Sequence, residues 1–176
     1  MYLSSTIEEC LSRYDIFLKF FDNIPYIERE IFKYYCDFKM NQKEISSITG
    51  LTQGAISHRI SRMFKRLDFL EEREKLCGMD VDQMFKELER YCDPFEIEML
   101  KAVYETTSQS HSAFRLNSIF NLTGENKVNQ IKLKYAFEKL LMRLKNTEFY
   151  PLFIFINQNW YALSEVRLPQ FDRSLT

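Results

Sequence analysis

The residues best equipped for chemistry crowd between Lys43 and Arg66: Lys43, Thr52, Gln53, Ser57, His58, Arg59, Arg62, Lys65 and Arg66. Glutamine pairs bidentately with the edge of adenine and arginine with that of guanine, while short hydroxyl side chains reach either and lysines hold phosphates. That inventory suits the reading of duplex DNA rather than bond-making. No Ser/His/Asp or Cys/His arrangement, phosphate-cradling glycine loop or H-E-x-x-H motif accompanies it, so neither a catalytic residue nor a cofactor is expected. The four cysteines, Cys10, Cys36, Cys77 and Cys92, have no CxxC or other metal-ligand spacing, and are expected as reduced thiols in cores rather than as a metal site.

These residues need a rigid carrier, and the run Lys43–Ile60 supplies the parts of a helix-turn-helix. Ser46 is small where two helices would cross, and Gly50 can adopt the left-handed conformation that closes the first helix. Leu51 would bury the turn and Thr52 would cap the second helix through its hydroxyl. In that second helix, read as residues 52–72, Ile56, Ile60, Met63 and Leu67 recur at helical steps and face a core. The opposite surface carries His58, Arg62 and Lys65 on one row and Ala55, Arg59, Arg62 and Arg66 on the next. Helices over 6–21, 26–38 (started by Pro25) and 41–49 are expected to brace it. The competing reading is a three-helix core whose turn only looks like a DNA reader.

Ile24-Pro25-Tyr26-Ile27-Glu28-Arg29-Glu30-Ile31-Phe32, followed by the segment just described, resembles region 4 of bacterial sigma factors. That family shows a Leu-Pro-x-x-x-Arg-Glu opening, a Glu-Ile-Ala-x-Ile-x-Gly helix and a Ser-x-Gly-x-Val-x-x-Arg-Leu-x-Arg helix. Thr52, Gly54, Ile56, Arg59, Ile60 and Arg62 stand at matching positions, with Ser46 in place of the usual alanine. The resemblance covers residues 24–70 and implies promoter DNA in the major groove and contact with RNA polymerase. It departs from the family in what flanks the module: about 100 residues follow, and too few precede it for a promoter-melting region, so a complete sigma factor is not expected.

The charge pattern agrees with two separate cationic surfaces. Residues 39–66 hold 6 Lys/Arg against 1 Asp/Glu and residues 125–145 hold 6 against 2, while residues 67–96 between them hold 4 against 10. Local islands of this kind favour a polyanion surface, although solvated helix ends would give the same count. The second island lies in a stretch, residues 93–163, whose order of helix, helix, long helix and a β-hairpin at Tyr150–Leu163 predicts a winged helix. Lys127, Asn129, Gln130, Lys132 and Lys134 are the candidate second DNA surface. An oligomerisation or partner-binding role is the rival, because the hairpin region carries no Lys or Arg and is apolar on both faces.

The expected architecture is therefore mainly α. A sigma region 4-like domain at 1–76 is followed by a connecting helix at 77–92, a winged-helix-like domain at 93–168 and a tail at 169–176. With 4 Gly and 4 Pro the chain is poor in the turn residues that all-β folds consume. Its longest apolar run falls far short of a bilayer, and its start lacks the positive region of a signal peptide, so a cytoplasmic location is expected. The function read from these features is sequence-specific binding of double-stranded DNA by a transcriptional regulator, expected as a homodimer. A plasmid or phage replication initiator with tandem readers and an RNA polymerase-binding module are the alternatives.

Overall fold

The computed structural model describes residues 4–106 and 109–163, with side chains through Asn159. The chain is mainly helical, and its described residues fall into two compact units that meet in sequence between Glu71 and Glu72.

The first unit holds α1 (Ser5–Ser12), α2 (Tyr14–Lys19), a single 3-10 turn (Phe21–Asn23), α3 (Tyr26–Cys36), α4 (Gln42–Thr49) and the greater part of α5 (Gln53–Cys77). Ser4 starts α1 by accepting the amide of Ile7 at 3.3 Å. The single helix expected over 6–21 is interrupted at Arg13, whose φ of −102° and ψ of 7° leave the helical region. Helix α1 packs on α3, and after the break the ring of Phe17 stacks on that of Phe32 with centroids 4.0 Å apart. Ile7, Cys10, Ile24, Ile31, Ile45, Ile56, Met63 and Leu67 complete the buried centre. Burying large aliphatic and aromatic side chains of this kind stabilises by about 1.5–3 kcal/mol each.

The second unit contains α6 (Val81–Leu88), α7 (Pro94–Thr106), α8 (Gln109–Ile119), a 3-10 turn (Gly124–Asn126), α9 (Gln130–Leu144) and α10 (Tyr150–Leu163). Helices α7, α8 and α9 pack mutually, with α6 against α7 and α10 against α9. Asp93 and Glu96 start α7 with reciprocal bonds: each carboxylate accepts the other residue's amide, at 2.8 and 2.9 Å. This is a capping box, in which two otherwise orphaned donors of a helix N-terminus are satisfied at once. Arg73 is buried here, donating to the carbonyl of Tyr104 at 2.5 Å with its guanidinium 4.2 Å from that ring.

The β-hairpin expected at Tyr150–Leu163 is not formed, and no strand occurs among the described residues, so the wing of a winged helix is not there. The segment is α10. Phe149, Leu152, Phe153 and Ile156 are buried at steps of three, one and three, a helical spacing that the flanking Ile154 and Phe155 disguise as alternation. Asn159, expected in the hairpin turn, donates instead to the carbonyl of Phe155 one turn back, at 2.8 Å. The polar residues Gln109–Ser112 belong to α8 rather than to a loop; Thr107 and Ser108 lie outside the described residues, as does the tail 169–176. Among the described residues no helix is long and apolar enough to cross a membrane.

Candidate nucleic-acid interface

Helix α4, the turn Gly50-Leu51-Thr52 and α5 form a locally over-determined unit. Asn41 and Glu44 make a capping box at the start of α4. At its end Gly50 takes a φ of +73°, and its amide donates to the carbonyl of Ser46 at 3.0 Å. This left-handed conformation is one that glycine adopts without the Cβ clash other residues suffer. Three side chains then stitch the turn. Ser46 donates to the carbonyl of Leu51 at 2.6 Å, Leu51 donates its amide to Thr49 at 3.3 Å, and Gln42 donates to the carbonyl of Gln53. Thr52 caps α5 as expected, accepting the amide of Ala55 at 3.1 Å. Ser46 is thus more than a small residue at a crossing, and Gln42 is a positioning residue for α5 that the residue pattern did not single out.

On α5 the apolar stripe Ile56, Ile60, Met63 and Leu67 is buried. Diametrically opposite, at the same steps of four, three and four, run Gly54, His58, Ser61 and Lys65, all exposed. Thr52, Gln53 and Ser57 are exposed beside this crest, and Lys43 is exposed on α4. Six of the nine residues expected to touch DNA therefore stand open to a ligand, Arg59 and Arg62 are half-buried, and Arg66 is interior.

Arg66, expected on the surface, is 3% exposed. Its guanidinium lies 3.3 Å from a carboxylate oxygen of Glu28, itself 3% exposed, and it also donates to the carbonyl of Asn23 at 3.4 Å. The helix edge carrying Arg59, Arg62 and Arg66 is turned toward α3. Arg59 and Arg62 are within electrostatic reach of Glu28, while Arg66 is consumed by it. Burial works against both members of the inner pair. It pushes the Glu28 carboxyl above its ordinary value, opposed by Arg66, Arg59 and Arg62, and it lowers Arg66 to about 10, opposed by Glu28. A signal for this exists in the sequence. Glu28, Ile31 and Tyr35 form one buried row along α3, with the buried Ile24 just ahead of the helix, so an acid in an apolar row demands an internal cation.

The second candidate surface is built differently. Its two helices, α8 and α9, are joined by the ten residues 120–129 rather than by three. Asn117 clamps this connection, giving and receiving bonds with the backbone of Val128 at 2.8 and 2.7 Å. Asn129 is spent as the cap of α9, accepting the amide of Lys132 at 2.8 Å. Lys132 donates to the carbonyls of Glu125 and Lys127 at 2.8 and 3.3 Å, and Lys134 lies 3.9 Å from Glu138. Lys127 and Gln130 are exposed. The five residues are neighbours at one end of α9, but three are engaged within their own unit.

No protein family, curated protein or solved structure matches the chain, so its own residues carry the functional reading.

Proposed function

We propose that this chain is a sequence-specific, double-stranded DNA-binding regulator of transcription that seats the first half of α5 in the major groove, in the manner of the sigma region 4 it resembles. The observation that carries the reading is the crest of α5: an exposed polar line, Gly54–His58–Ser61–Lys65, backed by a buried aliphatic stripe and held by a stitched turn. A groove-reading helix needs this division, with one side rigidly packed and the other bearing small and polar groups. Thr52, Gln53, Ser57 and His58 are the candidates for base edges, and Lys43, Lys65, Arg59 and Arg62 for phosphates. Two copies on a two-part site are the expected assembly.

The test begins with selection of bound sequences from a random duplex pool, followed by anisotropy titrations at several salt concentrations. Arg59→Ala with Arg62→Ala is expected to weaken binding to all sequences alike. It should also lower the slope of log K against log salt by ~0.9 for each phosphate left without its cation. Equal affinity and slope for wild type and double variant would remove the assignment. Capture of RNA polymerase by a chain with no duplex affinity would replace it with the polymerase-binding alternative.

A further inference from the structure

The two basic islands have opposite crests. On α5 the outward line is polar, whereas on α9 it reads Ile131, Tyr135, Glu138 and Met142, again at steps of four, three and four. Ile131 and Met142 are 80% exposed and Tyr135 is 70% exposed. The inner side of α9, Leu133, Phe137, Leu140 and Leu144, is fully occupied by its own unit, so the helix is apolar on two faces with one unpartnered. The cations that would be needed on phosphates are partly diverted. Arg143 pairs with Glu96 and donates to the carbonyl of Tyr91 at 2.8 Å, and Lys134 lies beside Glu138. A DNA face would put three large apolar side chains against a polyanion, with Arg143 and Lys134 already paired to carboxylates.

The charges that remain define the occupant. Lys139 stands along one side of the apolar line, beside Lys132 with its ammonium already on two backbone carbonyls, and Lys145 stands along the other; no carboxylate among the described residues pairs with the three. A second copy fits poorly. An antiparallel α9 that set Ile131 against Met142 would lay the flank bearing Lys132 and Lys139 against the same flank of the other copy, and like charges so placed disfavour a pairing. From these features we infer that the outer face of α9 is a docking surface for an amphipathic helix of another protein, with an apolar stripe flanked by Asp and Glu. The two apolar stripes would interleave while the acidic flanks meet the lysine rims. This surface is independent of the α5 reading.

Fluorescence anisotropy on the full chain tests it with three labelled synthetic peptides matched to the 15 residues of α9. One carries leucines at steps of four, three and four with glutamate flanks, one the same leucines with lysine flanks, and one alanines with glutamate flanks. The glutamate-leucine peptide is expected to bind at least about tenfold more tightly than either other. Ile131→Asp with Met142→Asp, both at exposed positions, should abolish that binding while circular dichroism and duplex affinity stay unchanged. Lys139→Glu with Lys145→Glu should reverse the preference between glutamate and lysine flanks. Indifference to peptide charge, or binding that survives the aspartate pair, overturns the inference. So does a dimer of the wild type that the aspartate pair converts to monomer, which would assign the face to a second copy. A fall in duplex affinity in these variants would assign it to DNA.

Discussion

Replacing Gly54 by alanine should move stability and binding in opposite directions. Gly54 lies in the first turn of α5 without a positive φ, and a Cβ added there would meet nothing within 4 Å. Nothing inside the protein therefore requires glycine at this position, while glycine within a helix costs about 0.5–1 kcal/mol relative to alanine. The free protein should gain about that much, which for a unit of this size raises Tm by roughly 2–8 °C. The added methyl, however, would project from the crest shared with His58, Ser61 and Lys65. Against a groove floor it would overpack, at a cost of about 1–3 kcal/mol, or a roughly five- to 150-fold rise in Kd. Thermal unfolding and anisotropy on the selected duplex, measured on the same preparation, read both effects. A variant that is stabilised yet binds as well as wild type would show that no DNA approaches this turn closely. A variant that is destabilised would refute the open space around it.

Three further substitutions probe the scaffold. Glu28→Gln strands the buried Arg66 and should cost about 3–5 kcal/mol by denaturant titration, whereas Glu28→Leu with Arg66→Met should be close to neutral, since buried pairs are weak net stabilisers. Gly50→Ala places a side chain at a φ of +73°. It should cost about 1–2 kcal/mol, read as a lower denaturation midpoint with no change in slope. Asn157→Pro discriminates helix from hairpin at the end of the chain: within α10 it should cost about 3 kcal/mol or more and reduce helical circular dichroism, whereas a turn would absorb it.

The first unit is readable because its signals are local and redundant. Pro25, Gly50 and Thr52 each mark a helix end through a local constraint that does not depend on distant packing, and all three are found at such ends. Arg66 escapes this kind of reading because a helical wheel locates a residue's direction but not its neighbour; only α3, approaching from that edge, turns a phosphate candidate into the partner of Glu28. The end of the second unit is opaque for another reason. Tyr150–Ile156 is apolar at nearly every position, and a run without polar interruptions fits a two-residue period as well as a helical one. Packing against α9 decides it, with Phe137 and Phe153 meeting edge to face at 6.4 Å between centroids. The exposed apolar line of α9 is hidden among lysines, since charge counts register composition and not which face a residue occupies.

The burial of the Glu28–Arg66 pair has an outcome for how such a protein can change. Because alignment of α5 is anchored on its inner side and through the turn, the outward positions 54, 58, 61 and 65 stand apart from that anchorage. On the proposed reading, these positions and their exposed neighbours Gln53 and Ser57 can vary as a short address label printed on a frame that stays put. If the proposed DNA reading holds, transplanting that label into a related scaffold should carry the sequence preference with it, and diversification of targets would proceed by relabelling rather than by refolding.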